Sequence, residues 1–482
     1  MKKNVILVYA GEKCTRPRLP LALLFLSETL EKNGYKPMII DMRIDDWKSM
    51  DLDNPICVGL SVMTGPPISY ALEFAKHVRD VDPNIPIVWG GVHPSLLPEQ
   101  TILNEYVDIV VRGEGELTFL ELVQKLELNE SLKHVKGITY KENGEVISNP
   151  DREWMDLNEI GNLPYHLLDL SKYNLKEFPY HSSRGCPHKC GFCYNLAFNK
   201  GSYRFKNAEN VVNEIEYIVN KFNPETIWFV EDDFFASKKR VREICEGFIE
   251  RGLKINWEAS CVVSYFARYD STFINLLKES GCKKLAFGAE SGSSRILEYI
   301  DKNITVEETI KAVEKCKDWD IVPVISFLCG LPEETREDTY KTIGLIKKIR
   351  EINDKAIING FFLYTPYPNT PITNKLHEQG YEYPSSLEDW SDFLFAYGSN
   401  NPWLDDDYRK EIETISDIVR FQYFNKLEAS SRLKSKLHII PYKIFNSLYS
   451  ISAKIRWKYE FFKYPIEWKL WSWIRIRYLG QT

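Results

Sequence analysis

At 482 residues, with 44% apolar and 27% charged side chains and a formal net charge of −6, the chain has the composition of an ordinary soluble globular protein of two or three domains. No apolar run approaches the stretch of about 20 residues needed to cross a bilayer. No secretory leader is expected, because Gly11, Glu12 and Lys13 cut short the apolar opening; with ten cysteines in no pairing pattern, the cytoplasm is the expected compartment.

Apolar runs at residues 4–9, 37–41, 56–61, 85–89 and 107–111 alternate with amphipathic stretches such as 21–32 and 69–81. Buried strands separated by helices predict an α/β, doubly wound (flavodoxin-like) parallel sheet over residues 1–145, with ligands beyond the carboxyl ends of its strands. Three strand-end loops stand out: Ser61-Val-Met-Thr64, Gly90-Gly91-Val-His93-Pro and Arg112-Gly113-Glu114-Gly115-Glu116. Paired glycines let backbone approach a large flat ligand, although Gly90-Gly91 taken alone reads more readily as a tight turn. Residues 146–177, with Pro150, Gly161 and Pro164 and no clear periodicity, read as a linker.

From residue 178 the alternation resumes, with strands expected at 178–182, 226–231, 256–262, 284–290, 322–329 and 359–364 and helices at 208–222, 271–280, 306–318 and 336–350. Six strand–helix units over 178–400 predict a partial (β/α)6 barrel whose site opens at the carboxyl ends of its strands. At that end of the first strand stands Ser-Arg-Gly-Cys186-Pro-His188-Lys-Cys190-Gly-Phe192-Cys193-Tyr. Three thiolates at spacings of four and three can wrap one loop around a four-iron cluster, a group usually held by four cysteines, and so leave one iron open. Zinc, with His188 as a substitute ligand, is the competing reading.

Further strand ends carry polar groups suited to a cofactor. Glu231-Asp232-Asp233 precedes Phe234 and Phe235, and acids at a barrel rim make charge-assisted hydrogen bonds to an ammonium. Gly288-Ala-Glu290-Ser291-Gly292, Cys329-Gly-Leu-Pro-Glu333-Glu334 and Tyr364-Thr-Pro-Tyr367-Pro-Asn369-Thr370 end the fourth, fifth and sixth strands. Tyr367 either faces substrate or packs. The seven cysteines outside the loop read as structural thiols.

The C-x3-C-x2-C loop, with Phe192 before its last cysteine, resembles that of the radical S-adenosylmethionine (SAM) superfamily. The strand-end loops of residues 1–145 resemble the cobalamin-binding domain that precedes the radical SAM domain in one large subfamily, and the likeness spans roughly residues 1–400. It implies a [4Fe-4S] cluster on Cys186, Cys190 and Cys193, with SAM chelating the fourth iron. It also implies Glu231 and Asp232 at the SAM ammonium, Gly288, Glu290 and Ser291 near its methionine or ribose, and Glu333 on its adenine side. Ser61, Thr64, Gly90 and Gly91 would enclose the dimethylbenzimidazole tail of cobalamin, and Gly113 and Glu114 would close the same side. Glu231 replaces an aspartate of the subfamily pattern, and Asn369 stands where the family has glycine. The Asp-x-His-x-x-Gly motif that supplies an axial histidine in other cobalamin proteins is missing, so His-off binding is expected, with His93 a loop residue.

The implied activity is reductive cleavage of SAM to a 5′-deoxyadenosyl radical, driven by a reductant such as flavodoxin or ferredoxin, and methylation of an unactivated carbon. The alternatives are a radical cyclisation, rearrangement or oxidation, as in the related anaerobic magnesium-protoporphyrin ester cyclase, and a non-catalytic cluster- and cobalamin-binding sensor.

Residues 401–482 are expected to be a helical, basic-aromatic extension. From Arg432 onward eleven Lys/Arg stand against two Glu, a surplus of nine that leaves the preceding 431 residues at −15 within the whole-chain −6. Trp457, Trp468, Trp471 and Trp473 interleave with the basic residues. A cap on the acidic body is the first reading. Peripheral contact with an anionic bilayer, and with it a lipid-linked rather than a freely diffusing small-molecule substrate, is the second, and nucleic acid the last.

Overall fold

A computed structural model describes residues 3–52, 54–393, 401–423 and 439–463. They fall into two compact units: one built from residues 3–260 with 271–282 and 366–393, the other from 261–270, 283–365 and the described residues beyond 400.

The first unit opens with five parallel strands, β1 (Asn4–Tyr9), β2 (Lys36–Asp41), β3 (Val58–Ser61), β4 (Ile87–Gly90) and β5 (Ile109–Val111), extended by an antiparallel hairpin of β6 (Ile138–Glu142) and β7 (Glu145–Ser148). The order β2-β1-β3-β4-β5-β6-β7 is that of a doubly wound sheet with an antiparallel edge. Val5, Ile6, Leu7 and Val8 are fully buried on both faces of β1, which is why the run is apolar without alternation. The helices Leu21–Lys32 and Pro67–Val81 follow β1 and β3, the second with proline in its first turn. Residues 145–148, which run past residue 145 into the segment read as a linker, form β7 because Asn143 and Gly144 both take positive φ (53° and 84°), as a two-residue Asn-Gly hairpin turn requires.

Residues 366–393 return to this sheet. Leu387, Trp390 and Phe393 enter the core that holds Phe74, Trp89 and Ile102, and the Trp390 indole N–H donates to Gln100 Oε1 at 2.6 Å.

The same unit carries β8 (Glu177–Tyr180), β9 (Ser183–Gly185), β10 (Tyr203–Phe205), β11 (Thr226–Phe229) and β12 (Asn256–Ser260). β8, β11 and β12 run parallel in the order β8-β11-β12. β9 and β10 form a short antiparallel pair that brackets the three-cysteine loop and the helix Tyr194–Asn199.

In the second unit β13 (Cys282–Glu290), β14 (Val322–Cys329) and β15 (Ile357–Leu363) are parallel neighbours in that order. The helices Val306–Asp318 and Arg336–Ile352 between them start on reciprocal capping boxes, Thr305 with Glu308 and Thr335 with Asp338. Six parallel strands alternating with helices, three in each unit, match the count expected of the partial barrel. Beyond residue 438 the helix Ile439–Tyr459 buries Ala453, Arg456 and Trp457, and Phe462 meets Tyr340 at 6.1 Å, so one helix face caps this unit. Trp468, Trp471 and Trp473 lie outside the described residues. Among those described, no helix is long and apolar enough to cross a membrane.

Candidate active site

The cysteine loop runs from the end of β9 to the helix Tyr194–Asn199, whose N-cap is Cys193. None of the three is in a disulfide; Cys190 is buried, and Cys186 and Cys193 are partly so. Burial pushes the Cys186 thiol up to about 12; the His188 backbone N–H pulls it down, while Asp233, Cys190 and Cys193 push it further up. Three sulfurs that feel one another's charge suit a cationic metal centre that neutralises all of them. His188 points to Asp233 at 3.6 Å, and ligand atoms of Cys186, His188 and Asp233 lie within 4.8 Å of one another.

A cavity of about 450 Å³ opens beside this loop within the first unit. One wall is made by the carboxyl ends of β3, β4 and β5, with Ser61, Gly90, Gly91, Gly113 and Glu114 on its surface. The other wall is His181, Arg184, Tyr194, Phe198, Asn199 and Asp232. At Gly91 φ is +97°, and a Cβ would stand 2.8 Å from Val62 O and 2.9 Å from Val62 N, so only glycine lets these two strand ends close up. Gly90 is different: the nearest atom to a Cβ there is Val111 O at 3.6 Å, so its missing side chain widens the cavity.

Thr64 and His93 do not line this cavity. The Thr64 hydroxyl lies 3.1 Å from His93 Nδ1, the His93 ring packs on Trp390 at 5.3 Å, and burial lowers the imidazole to about 4. His93 is therefore a neutral residue of the core side, on the short helix Val92–Leu96 rather than in a loop. His181, by contrast, reaches the cavity, its imidazole lowered to about 3 by burial and then by Arg184 and Lys206.

The paired acids after β11 part company. Glu231 is buried, accepting from the Ser182 backbone N–H at 2.6 Å and from the hydroxyls of Ser182 and Ser183, and burial lifts its carboxyl against these bonds and the Arg240 charge. It ties the Ser182–Ser183 segment to the end of β11 and does not line the cavity, so it has partners of its own where an ammonium was expected. Asp232 reaches the cavity, and the surrounding protein raises its carboxyl as well. Tyr367 packs its ring on Tyr194 at 5.6 Å, and Asn369 takes φ of +61° while donating to Leu96 O at 2.6 Å.

In the second unit, Glu290 takes φ of +59° at a bulge after Gly288 and pairs with Lys302 at 2.7 Å. The Ser291 hydroxyl is buried against Thr342 at 3.3 Å, which ties the strand end to the helix Arg336–Ile352. Glu333 is exposed and its neighbour Glu334 is buried, accepting from the Leu331 N–H and the Thr339 hydroxyl, both at 3.2 Å. Burial raises Glu334 from 4.5 to about 7. A carboxyl raised in the folded state favours folding while protonated, so this contribution is full below the ordinary value and is lost as pH climbs through about 7. Glu334→Gln is expected to remove that loss and to stabilise the protein at pH 8 by about 3 kcal/mol relative to wild type, with little change at pH 4.5. Urea melts at both values check it, and parallel pH profiles for the two proteins contradict it.

Residues 17–123 match the B12 binding domain family and residues 180–346 the Radical SAM superfamily. An uncharacterized methyltransferase from Pyrococcus horikoshii is 33% identical over 435 residues, covering 88% of this chain and 87% of its own. The chain belongs to the cobalamin-dependent radical SAM methyltransferase family. Two solved structures share the fold of this radical SAM protein. The radical SAM methyltransferase TsrM from Kitasatospora setae, with cobalamin and a [4Fe-4S] cluster bound, is 20% identical at a TM-score of 0.67 and aligns over 79% of this chain and 75% of its own. The cobalamin-dependent radical enzyme OxsB, with aqua-cobalamin and SAM bound, is 19% identical at 0.72, over 100% of this chain and 76% of its own.

The cofactors of this radical SAM protein are accordingly a [4Fe-4S] cluster, SAM and cobalamin. The residues present fit them: three thiols on one loop, with Cys186 within reach of the charges of Cys190 and Cys193, and a cavity floored by glycines at strand ends. Sequence reading passed over His181, Arg184, Tyr194, Phe198 and Asn199 as cavity residues. Only Arg184, inside the Ser-Arg-Gly-Cys string, carried a readable signal.

Proposed function

We propose that this enzyme methylates an unactivated carbon of a small-molecule substrate. One observation supports that reading most directly: the strand-end glycines, Asp232 and the helix that leaves the cysteine loop all face one cavity. Bound there, the cluster and SAM supply a 5′-deoxyadenosyl radical when a flavodoxin- or ferredoxin-like reductant gives an electron, and cobalamin supplies the methyl group. Cys186, Cys190 and Cys193 hold the cluster. Asp232, rather than Glu231, meets the SAM ammonium through a charge-assisted hydrogen bond. Ser61, Gly90, Gly91 and Gly113 admit the corrin tail. The apolar lining from Leu21, Phe25 and Phe198 suits the apolar faces of a large cofactor.

The test is anaerobic reconstitution, followed by SAM and a strong reductant. Release of 5′-deoxyadenosine, and with a competent acceptor a product heavier by one methyl, is expected; an isomerised or oxidised product would favour the cyclase-like alternative. Gly90→Leu, filling open space at the strand end, is expected to cut corrin occupancy about tenfold while iron content stays at the wild-type level. Corrin spectra checked against iron analysis decide this, and undiminished corrin moves its site elsewhere.

Peripheral lipid contact belongs to the same proposal. Ile451, Lys454, Ile455, Lys458 and Tyr459 are exposed at three- and four-residue spacing on the helix Ile439–Tyr459, with Phe461 exposed just beyond. Aliphatic and aromatic groups between lysines suit an anionic headgroup layer, where each basic residue contributes about 1 kcal/mol. Lys454→Glu with Lys458→Glu is expected to lower flotation with phosphatidylglycerol vesicles at least about tenfold. Wild-type protein that ignores such vesicles defeats the lipid contact and leaves the methylation reading untouched.

A further inference from the structure

We infer that Arg184 and Arg204 are positioning residues that pin both ends of the cysteine loop onto the Gly113–Glu116 loop and thereby set the spacing between the two cofactor sites. The inference rests on the reading of the cavity as the corrin site and of the loop as the cluster site, and goes beyond it by assigning residues to neither cofactor.

The register of the β9–β10 pair places Arg184 directly opposite Arg204. Like charges facing each other across a ladder repel, so a free hairpin with this pairing is unfavourable. Here the repulsion is offset by carboxylates from one loop. Glu114 lies between the two guanidiniums, 3.2 Å from Arg184 and accepting from Arg204 at 3.1 Å, and Glu116 accepts from Arg184 at 2.6 Å. All four side chains are largely buried, at 12% exposure for Arg184, 18% for Arg204, 11% for Glu114 and 6% for Glu116. Burial opposes the ionised form of Glu116, and the Arg184 charge and hydrogen bond outweigh it, holding the carboxyl below its ordinary range. Each guanidinium is also stacked, Arg184 over Phe25 at 4.9 Å and Arg204 over Trp154 at 4.5 Å.

Chain order explains why two arginines are needed. Cys186, Cys190 and Cys193 and the helix Tyr194–Asn199 all lie between Arg184 and Arg204. A tie at one end would leave the loop free to pivot, whereas ties at both ends fix it. The anchoring loop packs closely: Gly113 sits at φ of +71°, and a Cβ on Gly115 would come within 2.9 Å of Leu26. The Glu114 carboxylate is thus engaged by arginines while its residue lines the cavity. Loss of one partner leaves a charge buried without compensation, and a planar guanidinium serving two carboxylates is not replaced by lysine.

The experiment uses the holoenzyme loaded with cluster and cobalamin, reduced so that both the cluster and cob(II)alamin are paramagnetic, and reads their magnetic coupling by electron paramagnetic resonance. Wild type is expected to show one well-defined coupling. Glu116→Gln and Arg204→Gln are expected to retain iron and corrin but to give a weaker, broadened coupling, with Arg184→Gln more affected and Arg184→Lys only partly restoring it. Fully loaded variants whose coupling equals that of wild type overturn the inference, because a merely stabilising ion cluster would move the melting temperature and not the spacing. Should Arg184→Gln fail to fold, the two other variants decide the matter. A wild-type protein that takes up no corrin or no cluster refutes the functional reading instead.

Discussion

Replacing Cys186, Cys190 and Cys193 together by alanine is expected to strip the loop of iron and to abolish 5′-deoxyadenosine formation, while corrin still binds. The fold has reason to survive the change. The loop carries its own backbone hydrogen bond from Cys193 N–H to Cys190 O at 3.1 Å, and its flanks are fixed by the β9–β10 pair and by the Arg184 and Arg204 ion pairs, none of which uses a thiol. The strand-end wall of the cavity is also untouched, since Ser61, Gly90, Gly91 and Gly113 come from other strands. A metal-free but folded and corrin-loaded triple variant is thus the expected state, read by iron analysis, visible spectra and nucleoside release. Zinc in place of iron in oxygen-free wild-type protein, or corrin lost together with the cluster, would contradict it.

The second large effect is expected at Gly185→Ala. This residue precedes the first cysteine, has φ of +84°, and a Cβ there would overlap the Ser202 carbonyl oxygen and crowd Asn199. An L-residue costs about 1 kcal/mol in such a conformation, and displacing backbone of the paired strand adds to it, so a total loss of about 3 kcal/mol or more is expected. Because Gly185 pairs with Tyr203 at the mouth of the loop, iron loading falls with stability. Gly34→Ala is the control: its φ is +80°, yet nothing lies within 4 Å of its missing Cβ, so only the conformational cost of about 1 kcal/mol remains. Urea melts that show the two substitutions to be equally costly would refute the clash argument.

Much of the architecture was legible in the chain because its strands are buried on both faces. Continuous apolar runs marked β1 to β5, and the helices Ala208–Phe222 and Val306–Asp318 fall where periodicity placed them. The β6–β7 hairpin was missed although Asn143-Gly144 announced it, because its flanking residues are mostly polar. β9 and β10 offered no such signal: three-residue strands separated by the whole cysteine segment have no local period to read. At the site, the cysteine spacing declared its chemistry, whereas the choice between Glu231 and Asp232 did not follow from composition. Which of two adjacent acids faces a cavity depends on strand parity and on partners such as Ser182 and Ser183, and those meet Glu231 only in three dimensions.

Trp390 has a consequence for how the polypeptide is made. Its indole is fully buried among Phe74, Trp89 and His93, side chains translated some three hundred positions earlier. The amino-terminal sheet therefore emerges from the ribosome with an apolar socket that nothing can fill until most of the message has been read. The sheet expressed alone leaves that socket open, which makes it a poor candidate for separate expression.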